Sequence, residues 1–148
     1  PALDAPGRAA ARAEAEAVLA APFAGQVFGP GSLAEAGLAL RLPALSEAAM
    51  IGRIDRLVVA PDRVRVIDFK TDRAPPARAE DAPAGYLAQI AAYAEALGSV
   101  FPGREIEAAL LWTAVPRLVA LPQGLLAEAL AAAREASPEP LDSGGSAT

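Results

Sequence analysis

At 148 residues with a formal charge of −5, the chain has the size of one domain and the length to bury a core. It holds neither cysteine nor histidine, which excludes disulfides, thiolate chemistry, zinc hydrolases and histidine-based triads. Any bound metal must then be held by oxygen, favouring magnesium, manganese or calcium. The acidic balance speaks against a free-standing nucleic-acid binder. It leaves room for an enzyme whose substrate a partner domain delivers. No apolar run approaches the roughly 18–20 residues of a membrane span, and no signal peptide is visible.

Asp4 and Pro6 read as a helix entry, and Arg8 to about Ala21 is a strong helix former that Pro22 stops. Residues 22–32 form a turn-rich connector anchored by Phe23, Val27 and Phe28. Residues 34–42 alternate as a half-buried strand, with Leu38, Leu40 and Leu42 on one face and Glu35, Ala39 and Arg41 on the other. Strands follow at about Met50–Val59 and Arg63–Thr71, separated by the Pro61-Asp62 turn. A proline-rich loop spans 72–84. Tyr86 to Leu97 is then a helix whose inward stripe is Leu87, Ile90, Ala91, Ala94 and Leu97, with Tyr86, Gln89 and Tyr93 sharing a face off that stripe. An apolar central strand at about Ile106–Thr113, a short strand at Arg117–Leu121 and a helix at Leu125–Ala136 complete the order αβββαββα. Trp112 and Phe101 read as core. The domain is expected to span 1–136, with 137–148 a disordered tail or linker.

The hairpin of the second and third strands carries the chemistry. If Ala60 pairs with Arg63, Asp55 sits directly across from Asp68, with Cβ atoms about 4.5–5.5 Å apart. The two-residue period puts Lys70 on the face of Asp68 and turns Ile67 and Phe69 the other way. Opposed carboxylates are unfavourable unless neutralised, and a hard divalent cation would do so. Lys70, the sole lysine among arginines, would then orient an attacking water or stabilise charge growing on a phosphate. The competing reading is an ordinary exposed hairpin with an Asp–Lys salt bridge.

The segments GRIDRLVV (52–59), VRVIDFKTDR (64–73) and YLAQIAAYAEAL (86–97) resemble the GxxD, DxK and QxxxY motifs of RecB-family PD-(D/E)xK nucleases. FGPGSLAEAGL (28–38) and FPGREIEAALLWT (101–113) extend the likeness over most of the chain, nearest to the C-terminal nuclease domain of AddA-type helicase–nucleases. The resemblance implies an α/β, restriction-endonuclease-like fold, a central mixed sheet flanked by helices. It implies a magnesium-dependent deoxyribonuclease, with manganese as an alternative metal, that processes double-strand breaks for recombinational repair. Asp55, Asp68 and the Phe69 carbonyl would be metal ligands, and Asp55, Asp68 and Lys70 the catalytic set. Gln89 and Tyr93 would hold the active-site strand or contact DNA, and Glu35 matches an acidic position in the first strand. The implied partners are DNA, a helicase domain of the same polypeptide (the only route by which ATP enters) and a second subunit, in the bacterial cytoplasm at the nucleoid. The family's metal-associated histidine has no counterpart here. The chain is therefore expected to begin downstream of that motif and, alone, to be weakly active or inactive. Rival readings are a free-standing RecB-like exonuclease and a non-catalytic domain that threads DNA or docks a helicase.

Overall fold

A computed structural model describes residues 3–41 and 49–136. The expected tail at 137–148, Leu42 and the side chain of Leu40 lie outside the described residues. Helix α1 (Ala5–Ala20) starts where Asp4 caps it, its carboxylate accepting from the Gly7 N–H at 2.8 Å. Only Val18 of this helix is buried, so its alanines serve propensity more than packing. The connector after Pro22 contains one short helix, α2 (Ala24–Phe28), which buries Val27.

Among the described residues, five strands make one sheet: β1 (Ser32–Arg41), β2 (Ala49–Val59), β3 (Arg63–Lys70), β4 (Glu105–Trp112) and β5 (Arg117–Leu121), adjacent in that order. All neighbours are antiparallel except β3 and β4, which run parallel. A parallel pair needs a long crossover. Helix α3 (Ala84–Val100) supplies it, after a single 3₁₀ turn at Ala79–Asp81, and helix α4 (Gln123–Ala136) packs beside α3. The mixed α/β sheet flanked by helices is as the sequence leads one to expect.

Two apolar layers cover the sheet. The larger joins Val64, Val66, Ala108, Leu110 and Trp112 to Leu87, Ile90 and Leu97 of α3 and Leu126 and Leu130 of α4. The smaller joins Ile67, Ala109 and Leu111 to Val18 of α1 and Val27 of α2, with Phe23, Phe28 and Phe69 packed against it. Strands β3 and β4 are buried on both faces, which is why Ile106–Trp112 reads as a nearly unbroken apolar run. Trp112 is fully buried, and Phe101 packs at the edge of the larger layer.

Strict alternation fails at one place. In β2, Leu57 and Ile54 both enter the larger core layer although they are three residues apart. The β1–β2 ladder passes from Ala34–Arg56 to Ala36–Ile54 without joining Glu35 to Asp55. Glu35 there takes φ 51°, the only left-handed non-glycine among the described residues. Both strands therefore exchange faces at the same level. This matched kink, with one residue from each strand, lies beside the residues to which the sequence assigns chemistry.

Candidate active site

The alternation of β3 turns Ile67 and Phe69 to the smaller layer and Asp68 and Lys70 to the larger one, as anticipated. Asp68 and Lys70 are only 6% and 9% exposed, and ionisable groups so placed need partners. The two side chains form an ion pair with each other. Lys70 Nζ also donates to Gln89 Oε1 at 3.4 Å and lies 3.8 Å from the centroid of the Tyr86 ring.

Asp55 is not directly across from Asp68 on the ladder. The pairing follows the expected register from Val59–Val64 to Arg56–Ile67 and ends there, because the kink swings Asp55 out of line. Its side chain does the joining instead: Asp55 Oδ2 accepts the Phe69 N–H at 2.7 Å, in place of a strand carbonyl. The convergence expected of the two carboxylates still results. Burial pushes the Asp68 carboxyl above the usual range, Lys70 opposes the rise, and the charge and hydrogen bonding of Asp55 add to it.

The GxxD and QxxxY segments meet physically. A Cβ at Gly52 would lie 2.6 Å from the Tyr93 ring, so glycine is what lets α3 approach β2 here. Tyr93 OH donates to the Arg53 carbonyl at 3.3 Å, two residues before Asp55. Tyr93 is thus buried against the sheet rather than off the apolar stripe, where four-residue spacing places it beside Gln89. Gln89 itself is exposed apart from its bond to Lys70. Glu35 points to solvent and pairs with Arg53 at 3.2 Å, away from the two aspartates.

One participant escaped the sequence reading. Asp72, in the loop after β3, accepts from Trp112 Nε1 at 2.8 Å and from Tyr86 OH at 3.2 Å. The indole N–H is the first cause of its lowered pKa, with the phenol adding to it. The core placement of Trp112 carried the missing signal, since a buried indole N–H requires an acceptor.

The donor set fits a hard cation. Asp68 Oδ2 is buried and, although it touches the Lys70 ammonium, has no aligned hydrogen-bond donor. The Asp55 carboxylate stands beside it. Phe69 N–H and C=O project to the β2 side, since both leave one residue of a strand toward the same neighbour. The ladder has already ended there, so that carbonyl lies outside the β2–β3 register. Among the described residues, no group of three or more acidic, histidine or cysteine side chains gathers. Two carboxylates and a carbonyl suit magnesium, which keeps several waters.

A model of the PD-(D/E)XK nuclease superfamily matches residues 4–141. The chain belongs to the PD-(D/E)XK nuclease superfamily. Members of this superfamily are in general phosphodiester hydrolases that use divalent metals, and the fold of the present member is the one the superfamily assignment requires. No curated protein matches the chain. Among solved structures, the one described as the crystal structure of SSO0001 is similar at 12% identity and a TM-score of 0.41, covering 90% of this chain and 70% of that one. So distant a likeness adds nothing to the superfamily assignment. No helix among the described residues is long and apolar enough to cross a membrane.

Proposed function

We propose that this PD-(D/E)XK domain is a magnesium-dependent deoxyribonuclease of the RecB-like branch, with Asp55, Asp68 and Lys70 as its catalytic residues. The observation that carries the reading is the buried Asp68 oxygen, without an aligned hydrogen-bond donor, held between the Asp55 carboxylate and the ammonium of the only lysine of the chain. Such an arrangement is costly for a plain structural ion pair, because burial and a second carboxylate both oppose the charge on Asp68.

When bound by Asp55, Asp68 and the Phe69 carbonyl, a divalent cation would polarise a phosphoryl oxygen and acidify a water. The residues of the chain supply the rest. Asp55 fixes the end of β3 through the Phe69 N–H and brings its charge to bear on Asp68. Lys70 brings a compact positive charge against Asp68, where it would orient the attacking water or stabilise the anionic phosphorane-like charge. Gln89 holds that ammonium from α3, and Tyr93 holds the strand that carries Asp55.

The motif set and its order support a place beside the AddA-type nucleases. On that reading the domain cuts strands unwound by a helicase of the same polypeptide, within a two-subunit complex that processes double-strand breaks in the bacterial cytoplasm. The acidic charge of −5 agrees with DNA delivered by a partner rather than captured by the domain itself. The test is cleavage of labelled single-stranded DNA with magnesium or manganese and with chelator. Metal-dependent products that vanish in Asp68→Ala are expected. Equal products from the variant would remove the assignment, and no products from the chain joined to its helicase would favour the threading or docking role.

A further inference from the structure

We propose that Asp72 is a positioning residue that fixes Lys70 by tethering the ring of Tyr86. The proposal rests on reading Lys70 as a catalytic amine. One general requirement and three observations carry it. Lysine is a long, flexible side chain, and a catalytic ammonium must be held in one place. The face of Tyr86 lies 3.8 Å from Lys70 Nζ, so the position of that ring sets where the ammonium finds its favourable cation–π contact. The ring is tied at its far end, because Tyr86 OH donates to Asp72 Oδ2 at 3.2 Å. The other oxygen of Asp72 is tied to Trp112 Nε1 at 2.8 Å.

The tether has a rigid end. Trp112 is fully buried, and it is the β4 residue paired with Lys70 itself across the parallel ladder. The route from Lys70 to the Tyr86 ring, to Asp72, to Trp112 and back to Lys70 through the sheet is therefore a closed loop. Asp68 and Gln89 hold the ammonium from two further directions. The Asp72 side chain bonds to Trp112 and Tyr86, not to Lys70 or an expected metal ligand, so its effect on the site runs through the tyrosine.

The single lysine makes the test direct. Growth on ¹³C-lysine gives one lysine spin system in the chain, and its ε-methylene signals should lie upfield because of the Tyr86 ring current. In the metal-free chain, Asp72→Ala and Tyr86→Phe should each remove at least half of that displacement while the thermal transition remains cooperative. Asp72→Asn should retain most of it, since its amide can accept from the indole through oxygen and donate to the phenol through nitrogen. In cleavage assays the first two variants should lower kcat about tenfold or more with little change in KM, the cost of a misplaced group, and Asp72→Asn should restore most of it. If Asp72→Ala fails to fold, Tyr86→Phe alone decides, as it removes only the exposed tether atom. An unchanged lysine signal in a folded Asp72→Ala or Tyr86→Phe chain overturns the proposal. Loss of the displacement in a protein that never cleaves DNA would instead sink the nuclease reading and leave the tether standing.

Discussion

The two ends of the β2–β3 hairpin are held by different means. Near the Pro61-Asp62 turn, Val59–Val64 to Arg56–Ile67 form an ordinary antiparallel ladder, with Leu57 and Val66 buried on one face. Beyond Arg56, one Asp55 oxygen replaces the ladder, and Tyr93 of α3, packed against Gly52 of β2 itself, supports the departing strand. The regular end obtains its stability from backbone pairing and apolar burial. The irregular end gives up pairing and gathers two carboxylates and an ammonium. The contrast teaches that this site is made by interrupting a sheet, not by decorating one.

The largest expected effect breaks the irregular end chemically. Asp68→Ala should reduce metal-dependent DNA cleavage by at least about a hundredfold while the thermal transition stays cooperative, at a lower midpoint because the buried Lys70 ammonium loses its ion-pair partner. The next separates the metal from the fold. Magnesium at about a hundred times its dissociation constant should stabilise the wild type by about 2.7 kcal/mol, measured by thermal melts. Asp55→Asn should cancel that gain. The same variant tests the charge balance: Asp68 has its folded pKa raised, so the metal-free fold is favoured where the carboxyl is protonated, and this advantage is lost as pH rises through the folded value. Asp55→Asn keeps an acceptor for the Phe69 N–H and should flatten that loss. Melts of the metal-free protein across mildly acidic pH would show an undiminished slope if Asp55 added nothing to the rise that burial causes.

A smaller effect sharpens the comparison through packing. Gly52→Ala forces a methyl into the buried Tyr93 ring and should cost about 1–3 kcal/mol in urea unfolding. Gly37→Ala, in β1, meets nothing within 4 Å and should stay within about 0.5 kcal/mol of the wild type. The smallest concerns the kink itself. Glu35→Gly should be close to neutral, as glycine adopts φ 51° without strain, whereas Ala36→Gly next to it should cost about 0.5–1 kcal/mol. Equal losses at the two positions would mean that the left-handed turn is not where the strand changes face.

Much of this was legible in the residues. The order of strands, the Pro61-Asp62 turn and the burial of Ile106–Trp112 follow from period-two patterns and punctuation, which act locally. The common face of Asp68 and Lys70 follows for the same reason. Asp55 shows where that logic stops: regular alternation sets it opposite Asp68, but nothing in its own segment announces a kink shared with Glu35 across β1. The face of Tyr93 departs from four-residue spacing for a related reason. Four-residue spacing groups it with Gln89, while the space that draws its ring inward is made by Gly52 on another element. Asp72 is invisible locally, because its partners lie 14 and 40 residues away.

The left-handed Glu35 has a consequence for the outside of the molecule. β1 is an edge strand of ten residues, and a straight edge of that length offers unpaired backbone groups to a strand from another chain. At Glu35 the line of outward N–H and C=O groups is broken, leaving two short stretches that a straight visiting strand cannot follow together. The opposite edge, β5, is only five residues long. The turn that frees Asp55 from its ladder thus also discourages edge-to-edge aggregation of the protein.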